Sequence, residues 1–200
     1  MIWINKNQSR EFALGNQARI DHPVSSYFGE SISMKKVSTP SFLVVGLCAA
    51  LMPLAALAND PKATIADLDA RLAKLGAAKL EGTEKAGDKQ APGLFFGPRK
   101  LNNNYDIVDD IKKKSGATAT VFVKSGDDFV RISTNVLTPE GKRGVGTSLA
   151  RAKAYEAVSK GQAFCGDVDV LGTPFNACYN PIKDDKGAVV GVTYVGYKKN

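Results

Sequence analysis

The chain has 200 residues, with 27 lysine and arginine residues against 20 aspartate and glutamate residues, and a formal net charge of +7. Its single histidine, His22, and single tryptophan, Trp3, both lie near the amino terminus. The rest of the chain lacks the commonest general base and metal ligand of proteins, and it holds no HExxH, P-loop, GxSxG or CxxCH motif. These absences argue against hydrolases, zinc proteins and c-type haem proteins. We therefore expect no catalytic residue, no cofactor and no metal.

Residues 34–58 have the pattern of a secretory signal peptide. Lys35-Lys36 form a short basic region, residues 42–51 are apolar, and Ala56-Leu57-Ala58 supplies the small residues that a signal peptidase reads. The alternative is a transmembrane anchor, but the apolar stretch is short of the roughly 20 residues a spanning helix needs, and it contains a proline. We expect cleavage after Ala58 and a protein that is periplasmic or secreted.

Residues 1–33 precede this signal, and they are polar without a clear periodicity. Because a signal peptide belongs at the start of a protein, we expect translation to begin at Met34 and residues 1–33 to be a mis-called extension. Cleavage leaves residues 59–200, enough for one domain with a real core. Their charge is spread along the chain without a basic stripe interleaved with aromatics, so nucleic acid is not an expected partner.

The start of the mature chain, residues 59–93, is expected to form a helix and a loop. Apolar residues recur at steps of three and four up to Gly76 and predict the helix: Ile65, Leu68, Leu72 and Leu75. Residues 81–93 are polar and glycine-rich, which indicates a loop. A second helix is predicted by Tyr105, Val108 and Ile111, and it is closed by three lysines and Gly116.

From residue 118 the apolar period changes to two. Residues 118–124 and 128–136 read as a hairpin, and a loop follows at 138–146. Thr147 or Ser148 is a predicted cap of a helix that runs to about Lys160. Three further strands are predicted at 163–170, 174–182 and 188–198. This order predicts a mixed α+β domain with an antiparallel sheet.

Several runs in residues 94–200 occur in the order and spacing of a known family. They are Leu101-Asn102-Asn103-Asn104-Tyr105 with Val108-Asp109, Ala119–Phe122, Phe129–Val136, Arg143–Thr147, Gly166–Gly172, Tyr179–Ile182 and Gly191–Gly196. Together they resemble the extracellular Cache sensor domains of bacterial chemotaxis receptors and sensor kinases, of the Cache 3/Cache 2 fusion type. The resemblance assigns residues 94–200 to a single Cache-type sensor domain.

This resemblance implies a PAS-like five-stranded antiparallel sheet with a long N-terminal helix and a helix-containing crossover segment. It also implies a pocket between the sheet and the segment that joins strands two and three, for a small organic molecule, often a carboxylate. Such domains are not enzymes. Because no second hydrophobic segment follows the last strand, we expect a periplasmic binder that signals, for example in chemotaxis, through a membrane receptor or kinase partner. The alternative is a structural or interaction protein of the cell envelope without a small ligand.

Arg131 is the first candidate for binding such a ligand. On a regular strand Arg131, Ser133 and Asn135 share one face with Phe129, and an arginine beside hydroxyl and amide groups is suited to grip a carboxylate. The alternative is a solvent-facing arginine paired with an acid on a neighbouring strand.

Further candidates lie in and after the glycine-rich loop. Arg143 leads into Gly144-Val145-Gly146 and then Thr147, and glycines before a helix start let a backbone approach an anion; the alternative is an ordinary loop with a capping threonine. Three aromatic residues are candidates for the pocket walls or for the core: Tyr155, Phe164 and Tyr179.

Cys165 and Cys178 are the only cysteines after the signal. A hairpin that turns at Leu171-Gly172 places them opposite each other, with Cα atoms about 4.5 or 5.5 Å apart and within disulfide range. In an oxidising compartment this favours a structural disulfide, with a redox-switched or metal-binding thiol pair as the alternative. Asp167 and Asp169 lie on the same face, where solvated carboxylates are a more ordinary interpretation than a metal site.

Overall fold

The computed structural model describes residues 59–199, so the predicted extension at 1–33 and signal peptide at 34–58 lie outside the described residues. The helices are α1 (Pro61–Ala73), α2 (Asp106–Ser115) and α3 (Lys153–Ser159). The strands are β1 (Ala78–Ala86), β2 (Lys89–Phe96), β3 (Arg99–Lys100), β4 (Thr118–Ser125), β5 (Asp128–Thr134), β6 (Phe164–Val170), β7 (Thr173–Lys183) and β8 (Val189–Lys198).

The centre of the fold is a five-stranded antiparallel sheet in the order β5-β4-β8-β7-β6. The predicted α+β class and sheet are therefore confirmed. The β6–β7 hairpin turns through Leu171 and Gly172, both with positive φ, a backbone shape that matches the twist of paired strands. This turn sets the register in which Cys165 lies opposite Cys178.

The first helix is shorter than the resemblance implied. Asp60 caps α1 by accepting a hydrogen bond from the Lys62 amide at 2.9 Å, and Pro61 occupies the first turn, where its missing amide costs nothing. The helix ends at Ala73 after 13 residues, so a long N-terminal helix is not confirmed within residues 59–199. The second predicted helix is present as α2, which Gly116 ends in a left-handed conformation.

The predicted loop at 81–93 is wrong, because these residues form most of β1 and β2. With β3 they make a second antiparallel sheet of three strands. Their polar side chains occupy the exposed positions, while Ala86, Ala91 and Leu94 are buried. A register shift between Leu80 and Thr83 interrupts the alternation. The composition therefore resembled that of a loop, although residues 83–86 pair with residues 89–92 across a hairpin.

The predicted helix start at Thr147 or Ser148 is also wrong, since α3 begins only at Lys153 and its cap, Ala152, makes no side-chain cap hydrogen bond. The chain before it runs along β5 instead. Gly146 donates to the Arg131 carbonyl at 2.8 Å, and the Arg131 amide donates to the Thr147 carbonyl at 2.9 Å. This pairing covers the edge of β5, which would otherwise expose unpaired backbone groups.

The five-stranded sheet buries a core on each face. On one face, which we call the helix face, lie α1, α2 and the three-stranded sheet, with Leu68, Val108 and Leu94 among the buried residues. On the other, which we call the cavity face, α3 and aromatic residues such as Phe122 and Phe129 form a second core. None of the helices within residues 59–199 is long and apolar enough to cross a bilayer.

Candidate functional site

A cavity of about 470 Å³ opens on the cavity face. Arg131 and Tyr179 contribute from the sheet, the crossover between β5 and α3 forms one wall, and β6 with its turn forms the other. The crossover wall is Ser148–Ala154 without Arg151, and the β6 wall includes Phe164, Val168, Val170 and Leu171. The cavity lies between the sheet and the segment joining its second and third strands, where the family resemblance implied a pocket.

Arg131 is the only arginine of the described residues that lines this cavity, and it is 4% exposed. Its Nη1 donates a hydrogen bond to Thr147 Oγ1, its Cζ lies 4.9 Å from the Phe122 ring centroid, and its Nε has no hydrogen-bond partner. No carboxylate among the described residues pairs with it. Burial lowers the pKa of its guanidinium, but arginine still keeps its proton in proteins. The cation is thus held beside an open space without a counter-ion.

The crossover segment is built to pass close to this cation. A Cβ on Gly144 would lie 3.3 Å from Arg131 Nη1 and 3.0 Å from a Leu171 methyl carbon, so any larger residue would crowd the guanidinium. Thr147 Oγ1 accepts from Arg131 and donates to the Gly144 carbonyl at 2.7 Å. Thr147, which we predicted as an anion-binding residue with a helix cap as the alternative, instead orients Arg131 from the loop and does not line the cavity.

Two tyrosines whose rings are in contact, with their planes tilted by 51°, lie beside Arg131. Tyr179, predicted from the sequence, lines the cavity, and its ring centroid is 4.9 Å from that of Tyr194, which the sequence analysis did not single out. Burial raises the pKa of Tyr179, and it raises the pKa of Tyr194 to about 12. Both hydroxyls therefore stay protonated at neutral pH. Phe164, also predicted, packs on Tyr179 with centroids 6.4 Å apart and lines the cavity.

Ser133 and Asn135 do not lie on the face of Arg131, so the alternation we predicted is wrong. Phe122 pairs with Arg131 and Val121 with Ser133, which leaves Ile132 as an extra residue in a β-bulge. A one-residue insertion reverses every side chain after it. Ser133 Oγ donates to the Asn104 carbonyl at 2.6 Å and Asn135 Nδ2 to the Val108 carbonyl of α2. Both therefore act on the helix face.

Arg143 is not brought to the cavity. Its Nη1 and Nη2 each donate to Asp109 of α2 at 2.8 Å, and Nη1 also donates to the Thr134 carbonyl at 2.7 Å. Its Cζ lies 4.4 Å from the Tyr105 ring centroid, and the hydrogen-bonded Asp109 raises the pKa of the guanidinium. Arg143 thus has a counter-ion within the fold, as we had considered for Arg131.

Tyr155 also lies apart from the cavity lining. Its hydroxyl donates to the Asp127 carbonyl in the β4–β5 turn, and its ring packs edge-on against Phe129 with centroids 5.8 Å apart. It therefore holds α3 against the sheet and belongs to the core. Lys153, at the cavity mouth, was missed, because an exposed lysine in a predicted helix gives no sequence signal.

Cys165 and Cys178 are joined by a disulfide, with Cα atoms 4.1 Å apart. The bond lies on the helix face and fastens β6, the edge strand whose other face forms a cavity wall. Asp167 accepts from Lys199 at 2.5 Å, and Asp169 accepts from the Gly172 amide at 2.8 Å. In the part of the chain that the structure describes, no group of three or more His, Cys, Asp or Glu side chains is arranged to hold a metal ion.

A comparison with known protein families agrees with this geometry. Residues 62–200 match the model of the Cache 3/Cache 2 fusion domain, which is more than half of the chain. No curated protein matches it. Domains of this type are extracellular or periplasmic modules that bind small molecules in sensory signalling and are typically not enzymes. The chain therefore belongs to the Cache 3/Cache 2 fusion domain family.

Proposed function

We propose that this domain senses a small organic carboxylate, which it binds in the cavity with its carboxylate group on Arg131. The observation that carries this proposal is the buried Arg131 guanidinium, which faces open space with no carboxylate partner among residues 59–199. A buried charge is costly unless it is paired, so an anionic ligand would supply the missing partner.

The residues that line the cavity indicate the charge and polarity of the rest of the ligand. Among the described residues, the lining holds one cationic side chain besides Arg131, which is Lys153 at the mouth. Leu149, Ala154 and Val168 contribute apolar surface. Polar tips come from Tyr179 and Ser148, and the β6 wall also includes Asp167, which is paired with Lys199, and Asp169, which accepts from the Gly172 amide. This arrangement suits a molecule with one carboxylate at the Arg131 end and an apolar or aromatic body of few atoms, because pockets of this size bury most of a small ligand.

The test is a thermal-shift and calorimetry panel of acetate, hexanoate, benzoate and succinate, with hexanamide and benzamide as uncharged controls. A bound ligand at 100 times its dissociation constant should raise the free energy of unfolding by about 2.7 kcal/mol. We expect the acids to bind and the amides to fail. Arg131→Met should weaken binding roughly 10- to 150-fold, because hydrogen bonds to a charged group contribute about 1.5 to 3 kcal/mol.

Arg143→Met is the matched control, since Arg143 is paired with Asp109 apart from the cavity. It should leave ligand affinity within about twofold. Binding of amides and acids alike, or equal losses in the two arginine variants, would contradict a carboxylate site at Arg131. If neither these nor other small molecules bind, the alternative of an interaction protein of the envelope gains support.

We further propose that the signal at residues 34–58 exports the domain, with cleavage after Ala58, and that it acts through a membrane receptor or kinase, for example in chemotaxis. The family places such domains outside the cytoplasm, which supports export. Intact-mass measurement of protein from periplasmic extract should give a chain that begins at residue 59. A peptide containing Trp3 in cells would contradict the start at Met34.

A further inference from the structure

Asp69 joins α1 to the middle of the five-stranded sheet. Its Oδ1 accepts a hydrogen bond from Thr193 Oγ1 at 2.7 Å, and its Oδ2 accepts one from Asn180 Nδ2 at 2.6 Å. No cation pairs with Asp69 among the described ion pairs, and burial raises the pKa of its carboxyl. We call Asp69, Asn180 and Thr193 the Asp69 clamp.

The two sheet residues of the clamp lie on neighbouring strands. Asn180 of β7 pairs directly with Thr193 of β8, so the carboxylate of Asp69 bridges the two strands from the helix face. Most of the rest of the sheet-facing side of α1 is apolar, with Ile65, Leu68 and Leu72 buried, and one further polar contact joins Thr64 Oγ1 to the Tyr197 hydroxyl at 2.8 Å. Apolar contacts allow sliding, whereas two charge-assisted hydrogen bonds fix both distance and direction. The clamp therefore sets where α1 lies on β7 and β8.

The residues next to the clamp point to the opposite face. Tyr179 precedes Asn180 and Tyr194 follows Thr193, and the two tyrosines are paired across β7 and β8 with their ring centroids 4.9 Å apart. Since successive side chains of a strand alternate between faces, this tyrosine pair lies on the cavity face, directly behind the clamp. Tyr179 lines the cavity, and Tyr194 is held by Thr118 at 3.1 Å between hydroxyls.

We propose that Asp69 is a positioning residue that couples the cavity to α1. This rests on the proposed function: a ligand that packs against Tyr179 shifts the tyrosine pair, and the same two strand positions carry Asn180 and Thr193. A change in their relative position alters both bonds to Asp69 at once, so α1 follows the strands. Couplings between two such sites usually change an equilibrium about 5- to 150-fold.

The test uses a ligand-free perturbation of the cavity face and reads out α1 by hydrogen–deuterium exchange. Tyr179→Leu removes the ring contact with Tyr194 from inside the cavity. We expect it to speed exchange of the α1 amides at 65–73 at least fivefold, while the amides of β4 at 120–123 report any global loss of stability. In the Asp69→Ala background the additional effect of Tyr179→Leu should fall below twofold, and in the Asp69→Asn background it should fall by at least half.

Thr64→Val is the matched control, because Thr64 Oγ1 also bonds α1 to the sheet, at 2.8 Å from the Tyr197 hydroxyl, but not at the tyrosine pair. The Tyr179→Leu effect should persist in this background. Asp69→Asn keeps the size of the side chain and loses only the charge that strengthens both hydrogen bonds, so it keeps the test decisive if Asp69→Ala fails to fold.

The proposal is overturned if Tyr179→Leu leaves α1 exchange unchanged, if its effect is as large without Asp69 as with it, or if Thr64→Val abolishes it equally. The exchange experiment contains no ligand. If no compound of the carboxylate panel binds, that result contradicts the proposed function alone and does not change the outcome of the exchange experiment. A panel that succeeds together with an uncoupled Asp69 contradicts the coupling alone.

Discussion

The two faces of the five-stranded sheet hold their charged side chains in different ways. On the helix face, Arg143 has the carboxylate of Asp109, and Asp69 has the donors Asn180 and Thr193. On the cavity face, the more deeply buried Arg131 has, among residues 59–199, the hydroxyl of Thr147 and the ring of Phe122 but no carboxylate. A buried charge whose hydrogen-bond partners or counter-ion lie within the fold needs no ligand to account for it. A buried charge beside a cavity that lacks such a partner indicates that a ligand supplies one.

The largest expected effect concerns the disulfide that fastens β6, the edge strand that forms one wall of the cavity. Replacing the disulfide by Cys165→Ala with Cys178→Ala should lower the free energy of unfolding by about 3 kcal/mol, because the bond closes a short loop that the unfolded chain otherwise leaves free. β6 should loosen at the cavity wall, while the Arg143–Asp109 pair, which does not contact β6, is unaffected.

Urea unfolding of oxidised wild type and of the double variant measures this difference. Reductant should destabilise wild type by a similar amount and leave the double variant unchanged. Alkylation of two thiols in unreduced periplasmic protein would contradict the bond, and equal stability of the two proteins would contradict its structural role.

An intermediate effect compares the two arginines in the unliganded protein. Arg131→Met keeps an apolar stem and removes an unpaired buried charge, so it should raise stability by about 1 kcal/mol. Arg143→Met removes a half-exposed ion pair and should lower stability by about 1 kcal/mol or less.

Urea unfolding without ligand measures both changes. The informative result is that the two changes in the free energy of unfolding have opposite signs. Their sizes are less informative, because the lost hydrogen bond to Thr147 reduces the gain in stability at Arg131. Strong destabilisation by Arg131→Met would mean that Arg131 supports the fold, and the difference between the two faces would then disappear.

The smallest expected effect concerns Asp69 and pH. Burial raises its folded pKa above the ordinary value of 3.8, and the hydrogen bonds from Asn180 and Thr193 oppose this rise. At pH values between the unfolded and the folded pKa of Asp69, the folded state therefore binds more protons than the unfolded state. The contribution of Asp69 to stability is fully present below pH 3.8 and is lost as the pH rises through the folded pKa.

Comparing urea unfolding of wild type and Asp69→Asn from pH 7 to pH 3 isolates this contribution. The stability of wild type relative to the variant should increase on acidification. A relative decrease would mean that the two hydrogen bonds outweigh the desolvation of the carboxylate.

Local sequence patterns predicted much of this fold correctly. The apolar steps of α2, the alternation in β4 and the turn at Leu171-Gly172 depend on neighbouring residues only, and each element formed near its expected place. The Cys165–Cys178 pairing followed from the same turn, since a two-residue connection fixes the register of a hairpin. The runs of the Cache resemblance likewise identified the family.

The tertiary structure decided what depends on distant residues. Polar residues 81–93 became strands because they pair with each other over the helix-face core, and the extra residue Ile132 reversed the alternation that would have placed Ser133 beside Arg131. Arg131 and Arg143 are both ligand-binding candidates in the sequence. Only the folded chain brings Asp109, 34 residues away, to Arg143 and leaves the cavity beside Arg131, because counter-ions and open space are set by packing.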